Sequence, residues 1–390
     1  MKIMLYCQHV LGLGHFFRSM RIAAALNRHD VLFVEGGSPL NGFTPPPHVQ
    51  RAFLPPLMMD AEFSKMETYG GEDLAEIAER RKRLLQRLFR DFAPDVLLIE
   101  LYPFGRKRFG FELTPLLQAI RGEDARTRVI CSLRDILVEK EDQSAYEERV
   151  LKSLNPYFDL LLVHSDPELI RLDDTFSRTA DIRIPVRYTG YVVQPANQHK
   201  PRVVEKTIVA SSGGGRVGVD LLAATVRAVR GVEDSAVRLR IFIGPFMEDS
   251  DRELLAQLAS GDSRITLSPF SLDFPAELAN ADLSISMAGY NTCMDILSVN
   301  VRALVYPFPQ NREQAMRAGK FAERGILDVV EDLTPESLAA QIQKSLADLR
   351  PGSVERSINI SGAENTALEI ERFFGEFLGD KVVKLRHENG

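Results

Sequence analysis

The sequence predicts an α/β protein of two doubly wound, parallel-sheet, Rossmann-like domains facing across a cleft. Three observations carry that reading. Apolar strand-like runs alternate with helical periodicity along the chain, each half opens with a strand that runs into a glycine-rich turn, and a polar, proline-flanked break separates the halves. At 390 residues and 43.7 kDa the chain exceeds one ordinary core and calls for two or three domains.

Lys2-Ile3-Met4-Leu5-Tyr6-Cys7 is the first strand run, followed by the loop Gly12-Leu13-Gly14-His15. Phe17, Met20 and Ala24 then recur at helical spacing before a second strand, Val31 to Val34. Strand, glycine turn, helix and strand make a βαβ unit, which implies parallel pairing. Helical pattern at 72–92 precedes Asp95 to Glu100, and a helical stretch at 111–121 precedes Arg128 to Cys131. Leu160 to Val163 is a further buried-type strand, ending at His164-Ser165-Asp166. After the break Gln194 to Pro201, Thr207 to Ala210 runs into Ser211-Ser212-Gly213-Gly214-Gly215 and a helix to about Arg230. Strands at 239–243, 265–267, 283–286 and 303–306 follow, and Ala367, Ile370, Phe374, Phe377 and Leu378 form an apolar stripe on a last helix. The expected domains are 1–193, a linker over 194–202, 203–363, and a closing helix and tail over 364–390 that packs back on the first domain.

Composition excludes several classes. Hydrophobic residues at 45% and charged residues at 26% describe a soluble globular chain. A net charge of -6 argues against a general nucleic-acid binder. Residues 1–200 balance 27 Lys and Arg against 27 Asp and Glu, while residues 201–390 carry 21 against 27, so neither half offers a basic excess. Cys7, Cys131 and Cys293 are too few and scattered for a disulfide framework or a zinc site. No apolar run approaches the roughly 18 residues of a membrane span, and the amino terminus reads as a strand rather than a signal peptide. A cytoplasmic, reduced protein is expected.

Three segments at strand carboxyl ends could carry chemistry, since open α/β sheets place ligands there. In Gly12-Leu13-Gly14-His15-Phe16-Phe17-Arg18 the glycines permit a tight turn and His15 sits where a helix begins, as a base or as a cap. Ser211 to Gly215 with Arg216 offers amides and a helix dipole to a phosphate, without the Lys-Ser/Thr ending of a P-loop. In the third, Ala288-Gly289-Tyr290-Asn291-Thr292 leads a helix that carries Asp295, either a favourable acid near a helix start or an acceptor for ribose hydroxyls. Beyond it, Asn311 can cap a helix on which Gln314 could bind a sugar. Glu100 and Asp135 end two strands and either could orient His15, the alternative being ion pairs with Arg106 or Arg134. Arg80-Arg81-Lys82-Arg83, with Arg87 and Arg90, reads as a solvated helix face or as a face toward anionic lipid. Asp249-Ser250-Asp251 has the spacing of a metal motif but lies in loop-like sequence, so no metal is expected.

These motifs resemble the GT-B glycosyltransferases, in particular glycosyltransferase family 28, which includes the peptidoglycan N-acetylglucosaminyltransferase, and a group of bacterial predicted glycosyltransferases. The likeness in plan covers almost the whole chain, but only short motifs are specific. The family's first glycine loop falls on Gly12, Gly14 and His15, and its diphosphate loop on Ser211, Ser212, Gly213, Gly214 and Gly215. Its stretch before the donor-binding helix falls on Ala288, Gly289, Asn291 and Thr292. Its base-reading loop falls on Phe270, Ser271 and Leu272, its ribose-binding Glu on Asp295, one carbon shorter, and its sugar-binding Gln on Gln314. An extra Gly replaces the frequent Ser-Gln of the second loop, and Arg216 is additional.

The resemblance implies a metal-independent, inverting transferase with no cofactor beyond a nucleotide-sugar co-substrate, most readily UDP-linked. On the acceptor side, where the likeness to the characterised member fades, strand-end position makes His15 the base, with Glu100 or Asp135 behind it and Arg18, Arg106 and Arg134 nearby. The resemblance also implies an unidentified acceptor, lipid-linked acceptors included, with weak contact to the inner membrane face and no nucleic-acid partner. Two alternatives stay open: Gly-x-Gly-His-x-x-Arg also resembles a UDP-sugar hydrolase, and a nucleotide-sugar-binding protein without turnover would share the donor motifs.

Overall fold

The computed structural model describes every residue except 9–13, 38, 39, 41, 60–65, 69, 70, 124, 125, 195–204, 348–357, 389 and 390. The chain divides into two compact units, Met1–Val192 with Asn359–Gly390, and Val193–Ile358.

The first unit runs β1 (Lys2–Cys7), α1 (Gly14–Ala25), β2 (Asp30–Glu35), β3 (Val49–Phe53), β4 (Leu57–Met59), β5 (Met66–Thr68), α2 (Leu74–Phe92), β6 (Val96–Glu100), α3 (Gly110–Glu123), β7 (Arg128–Arg134), α4 (Gln143–Tyr157), β8 (Leu160–His164) and β9 (Val186–Tyr188). Seven strands form a parallel sheet in the order β3-β2-β1-β6-β7-β8-β9, and β4 pairs antiparallel with β5. Strand side chains alternate between faces, which explains why the apolar runs are continuous. Ile3, Leu5 and Cys7 enter one buried cluster with Phe16, Met20 and Ile22 of α1, while Met4 and Tyr6 enter the other with Ile77, Leu85 and Leu113. Burying each such side chain stabilises the fold by roughly 1.5–3 kcal/mol.

The second unit runs β10 (Lys206–Ser211), α5 (Val219–Arg230), β11 (Val237–Phe242), α6 (Asp249–Ala259), β12 (Ile265–Ser268), α7 (Phe274–Ala279), β13 (Leu283–Met287), α8 (Tyr290–Val299), β14 (Ala303–Tyr306), α9 (Arg312–Glu323), β15 (Asp328–Val329) and α10 (Pro335–Ala347). Its six parallel strands lie in the order β12-β11-β10-β13-β14-β15. The last helix, α11 (Gly362–Glu388), returns to the first unit, where Ala363, Ala367 and Ile370 join the cluster around Phe16. Its entry is tight: a Cβ on Gly362 would lie 2.4 Å from the Gly190 carbonyl oxygen.

Each sheet has one switch point, where neighbouring strands send their connections to opposite sides. In the first unit it lies between β1 and β6, and in the second between β10 and β13. Asp249 and Asp251, expected in a loop, instead open α6, where Asp249 is fully exposed beside Arg252 at 3.8 Å. Two acids in a first helical turn favour the helix dipole. Most of the expected linker lies outside the described residues.

Candidate functional site

At the first switch point, α1 follows β1 and supplies His15 and Arg18, while β6 ends at Glu100. The three side chains meet. His15 Nδ1 lies 2.7 Å from Glu100 Oε1, Arg18 donates from Nη2 to the same oxygen, and Arg18 Nη2 is 3.3 Å from His15 Nδ1. Glu100 and Arg18 are nearly fully buried, whereas the His15 side chain is 19% exposed. Burial alone would raise the Glu100 pKa, but His15, Arg18 and Arg106 overcome it and hold the carboxyl well below its usual range. An ionised carboxylate only accepts, so the proton sits on His15 Nδ1 and the Nε2 lone pair is left available. Burial brings the imidazole down to about 4, helped by Arg106 and Arg18 and opposed by Glu100. His15 is therefore neutral at pH 7 and basic in form. Cys7, close by, is no rival nucleophile, because burial and the Glu100 charge push its thiol up to about 12.

The loop after β6 brings in Arg106, whose backbone is left-handed at φ 56°, as is Leu101 at φ 66°. Arg106 Nε and Nη2 are buried without a hydrogen-bond partner, and so is Glu100 Oε2. Arg134, at the end of β7, adds positive charge nearby and depresses the Arg106 pKa further below what burial sets.

At the second switch point the chain offers glycines and hydroxyls instead. Gly213 (φ 69°), Gly215 (φ 89°) and Gly218 (φ 94°) all lie in the left-handed region that favours glycine. The helix expected after the glycines, running to about Arg230, is α5, which begins at Val219 behind the Gly218 cap. The extra left-handed glycine keeps the chain turning for one more loop. Its amides are also not all free: Gly213 N–H donates to Ser211 Oγ at 3.0 Å. Ser212 and Ser286 each hold a buried hydroxyl oxygen without a partner. Sequence reading missed the loop after β11. There Gly244 lies so close that a Cβ would come within 2.4 Å of the Gly214 carbonyl carbon, and Phe246 N–H donates to Gly214 oxygen at 2.9 Å. Arg216 stacks over the Phe246 ring at 5.5 Å. A lone Gly-Pro after a strand was the available signal.

Ala288 and Gly289 end β13 and start α8, with Asn291 and Thr292 in its first turn; Asn291 Oδ1 is buried without a partner. Asp295 is the sixth residue of α8 and 6% exposed, too far along for the dipole to explain it. Arg317 was also missed. Fully buried on α9, it donates to the Ala288 oxygen at 3.3 Å and to Glu313 at 2.8 Å, and lies over the Tyr290 ring at 5.4 Å. Asn311 does cap α9, accepting from Gln314 N–H at 3.1 Å. The Gln314 side-chain oxygen accepts from Phe308 N–H at 3.0 Å, which leaves its amide NH2 as the group to offer. Phe270, Ser271 and Leu272 form the turn after β12, with Leu272 43% exposed.

Residues 213–366 match the glycosyltransferase family 28 C-terminal domain, a span that takes in the glycine loop from Gly213, the start of α8, Asp295 and Gln314. Over that span the chain resembles glycosyltransferase family 28, and its two parallel-sheet units have the GT-B plan. It is 29% identical over 194 residues, 46% of this chain and 50% of the relative, to the UDP-N-acetylglucosamine–N-acetylmuramyl-(pentapeptide) pyrophosphoryl-undecaprenol N-acetylglucosamine transferase of Granulibacter bethesdensis. The chain thus spans about half the length of that curated relative. Among solved structures it shares its fold with CalG4, the calicheamicin glycosyltransferase, at a TM-score of 0.62 and 16% identity over 96% of this chain and 98% of the other. It shares it equally with a Listeria monocytogenes protein assigned as a UDP-N-acetylglucosamine 2-epimerase, at 0.65 and 14% over 97% of each.

Several candidates sit elsewhere than expected. Gly12 lies outside the described residues, and Gly14 is the first residue of α1. Glu100, not Asp135, is the carboxylate that meets His15; the buried Asp135 accepts from Ile136 N–H at 2.8 Å. The expected Glu100 partners, Arg106 or Arg134, give way to Arg18 as its hydrogen-bonded cation. Asp166 is a local cap and latch, accepting from Glu168 N–H and Asn359 N–H at 2.9 and 2.8 Å. Arg81 leaves the basic face of α2 altogether: it is fully buried against Glu112 at 2.6 Å and Gln8 at 2.8 Å. Arg83, Arg87 and Arg90 stay exposed, while Arg80 and Lys82 pair with Glu72 and Glu79. Among the described residues no helix is long and apolar enough to cross a membrane, and no group of three or more His, Cys, Asp or Glu could hold a metal ion.

Proposed function

We propose that the chain is a glycosyltransferase that moves a sugar from a UDP-linked donor to a hydroxyl acceptor, with inversion and without a metal. The observation that carries this reading is the family 28 match laid over a left-handed glycine loop with buried, unpartnered hydroxyls. In this reading Ser211 to Gly215 and Arg216 take the diphosphate, through loop amides, hydroxyls and a guanidinium. Asp295 takes the ribose, the backbone of Phe270 to Leu272 the base, Gln314 the sugar hydroxyls, and Ala288 to Thr292 shape the pocket wall. His15 Nε2 removes the acceptor proton, and Glu100 steadies the imidazolium as it forms. The relative's name, which contains pyrophosphoryl-undecaprenol, supports a lipid-linked acceptor.

The test is calorimetry and an assay of UDP release. Asp295→Ala should weaken UDP binding by about 1–3 kcal/mol, the cost of unmade hydrogen bonds. Wild-type affinity in that variant removes Asp295 from the site. Turnover should persist in EDTA, because amides and Arg216 meet the phosphate charge; a strict need for magnesium or manganese overturns the metal-free reading. A second reading is favoured by the fold shared with the epimerase: chemistry on the UDP-sugar alone. Free sugar or a C2 epimer formed without any acceptor would select it.

A further inference from the structure

The loop after β6 carries a feature that the base-and-partner arrangement does not use. Glu100 already has two partners, His15 and Arg18, both on Oε1. Arg106 is drawn to the same carboxylate electrostatically, yet its Nε and Nη2 make no hydrogen bond, and they are buried. Buried guanidinium N–H groups are almost always hydrogen-bonded and are well suited to a bidentate oxyanion, and here Nε and Nη2 have no protein acceptor. The charge count points the same way. Arg18 and Arg106 both act on Glu100, two guanidinium groups for one carboxylate. Beside the two unused donors stands one unused acceptor, Glu100 Oε2.

We infer that this point on the first unit is an oxyanion subsite, in which Arg106 Nε and Nη2 receive a phosphate-type group that also bears a hydroxyl to donate to Glu100 Oε2. The inference rests on reading His15 as the acceptor-side base, and it names the acceptor's class: a molecule with a protonatable oxyanion near its reacting hydroxyl. A neutral sugar or phenol brings no charge to offset a buried guanidinium, whereas a phosphate group with one P–OH satisfies both donors and the acceptor. Glu100 repels a fully charged anion, so the site should prefer an anion that still carries a proton over one that does not. Arg106 is then a specificity residue for the acceptor.

The probes are inorganic phosphate, which keeps a P–OH at neutral pH, and sulfate, which does not. Thermal shift of the full chain would be measured with each, in the presence of saturating UDP so that the second unit's glycine loop is occupied. Phosphate should still stabilise the wild-type protein, at least fivefold more tightly than sulfate. Arg106→Gln should weaken that response at least tenfold, and Arg106→Lys, which keeps the charge but loses the fork, should weaken it nearly as much. UDP affinity, read by calorimetry, should stay within twofold of wild type in both. An unchanged phosphate response in both variants, or equal binding of sulfate and phosphate, overturns the subsite. If UDP itself fails to bind the wild-type chain, the donor reading falls; the Arg106 variants, titrated with phosphate alone against Arg216→Gln, still decide the subsite.

Discussion

At the carboxyl ends of β1 and β6 the first unit gathers charged side chains, with Glu100 and Arg18 buried and His15 on the same carboxylate. At the matching place in the second unit, the ends of β10 and β13, the chain presents Gly213, Gly215, Gly218 and the hydroxyls of Ser212 and Ser286. Both are switch points of parallel sheets, so topology made room for a ligand in each. What differs is the physics placed there. In the first unit burial decides which groups are ionised, so substitutions should act on rate and pH. In the second, backbone shape decides how near a ligand comes, so an added methyl group should act on affinity.

The largest effect should fall on His15. His15→Ala should lower turnover by about 10²–10⁴-fold, the usual contribution of a positioned base, and leave UDP affinity nearly unchanged. Its pKa of about 4 sets the shape of the profile: the imidazole is neutral above that value, so the rate should stay level from about pH 8 down to 5 and fall as pH drops through 4. An acid limb near 6.5 would show that burial does not govern His15. Glu100→Gln should cost less than His15→Ala, and Asp135→Asn less again, since of the two carboxylates Glu100 is the one on the imidazole. Near-normal turnover in His15→Ala would end the base assignment.

The next effect tests the second unit by shape alone. Gly244→Ala would force a Cβ within 2.4 Å of the Gly214 carbonyl carbon, a clash with backbone that must move the loop. UDP affinity should fall by roughly 1–3 kcal/mol, of the order of tenfold to a hundredfold. Gly214→Ala meets only the edge of the Phe246 ring at 3.4 Å and should change affinity by no more than a few-fold. Thermal midpoints taken alongside separate a moved loop from an unfolded unit. Equal affinities in the two variants would mean that loop shape does not govern the diphosphate.

The same contrast explains what could be read from sequence. Central strands were legible because both faces are covered, which makes runs such as Leu160 to Val163 continuous. Edge pieces such as β3, β9 and β15 were not, being short and half-exposed. Glycine loops announce themselves, and His15 with Glu100 could be paired from strand-end position. The choice of Glu100 over Asp135 could not, because it depends on β6 lying next to β1 while β7 is one strand further away. Gly244, marked only by a Gly-Pro after a strand, and Arg317 were missed for a related reason: each matters through a residue distant in sequence, Gly214 and Ala288 respectively. Arg81 is the opposite failure. Composition put it on a basic face, and only the fold shows Glu112 waiting for it inside.

The last effect concerns stability, and it too divides the units. His164, at the end of β8, is fully buried, with Nε2 2.6 Å from Ser132 Oγ and Nδ1 2.8 Å from Thr189 Oγ1. Burial brings it down to about 3, so the folded state holds it neutral while the unfolded chain protonates near 6.5. Its contribution is therefore complete above pH 6.5 and is lost as pH falls from there toward 3, at up to about 1.4 kcal/mol per pH unit. His15 adds to the same window down to about 4. The sequence has no histidine between 205 and 358, so the second unit carries no such group among its described residues. Between pH 6.5 and 5, above the range where most carboxylates titrate, calorimetry should show one unfolding transition moving to lower temperature and the other nearly still. His164→Gln should flatten the moving one, and more so when combined with His15→Gln. Two transitions that shift together, or a His164→Gln protein with the wild-type slope, would place the acid sensitivity outside these histidines and remove the contrast between the units on this count.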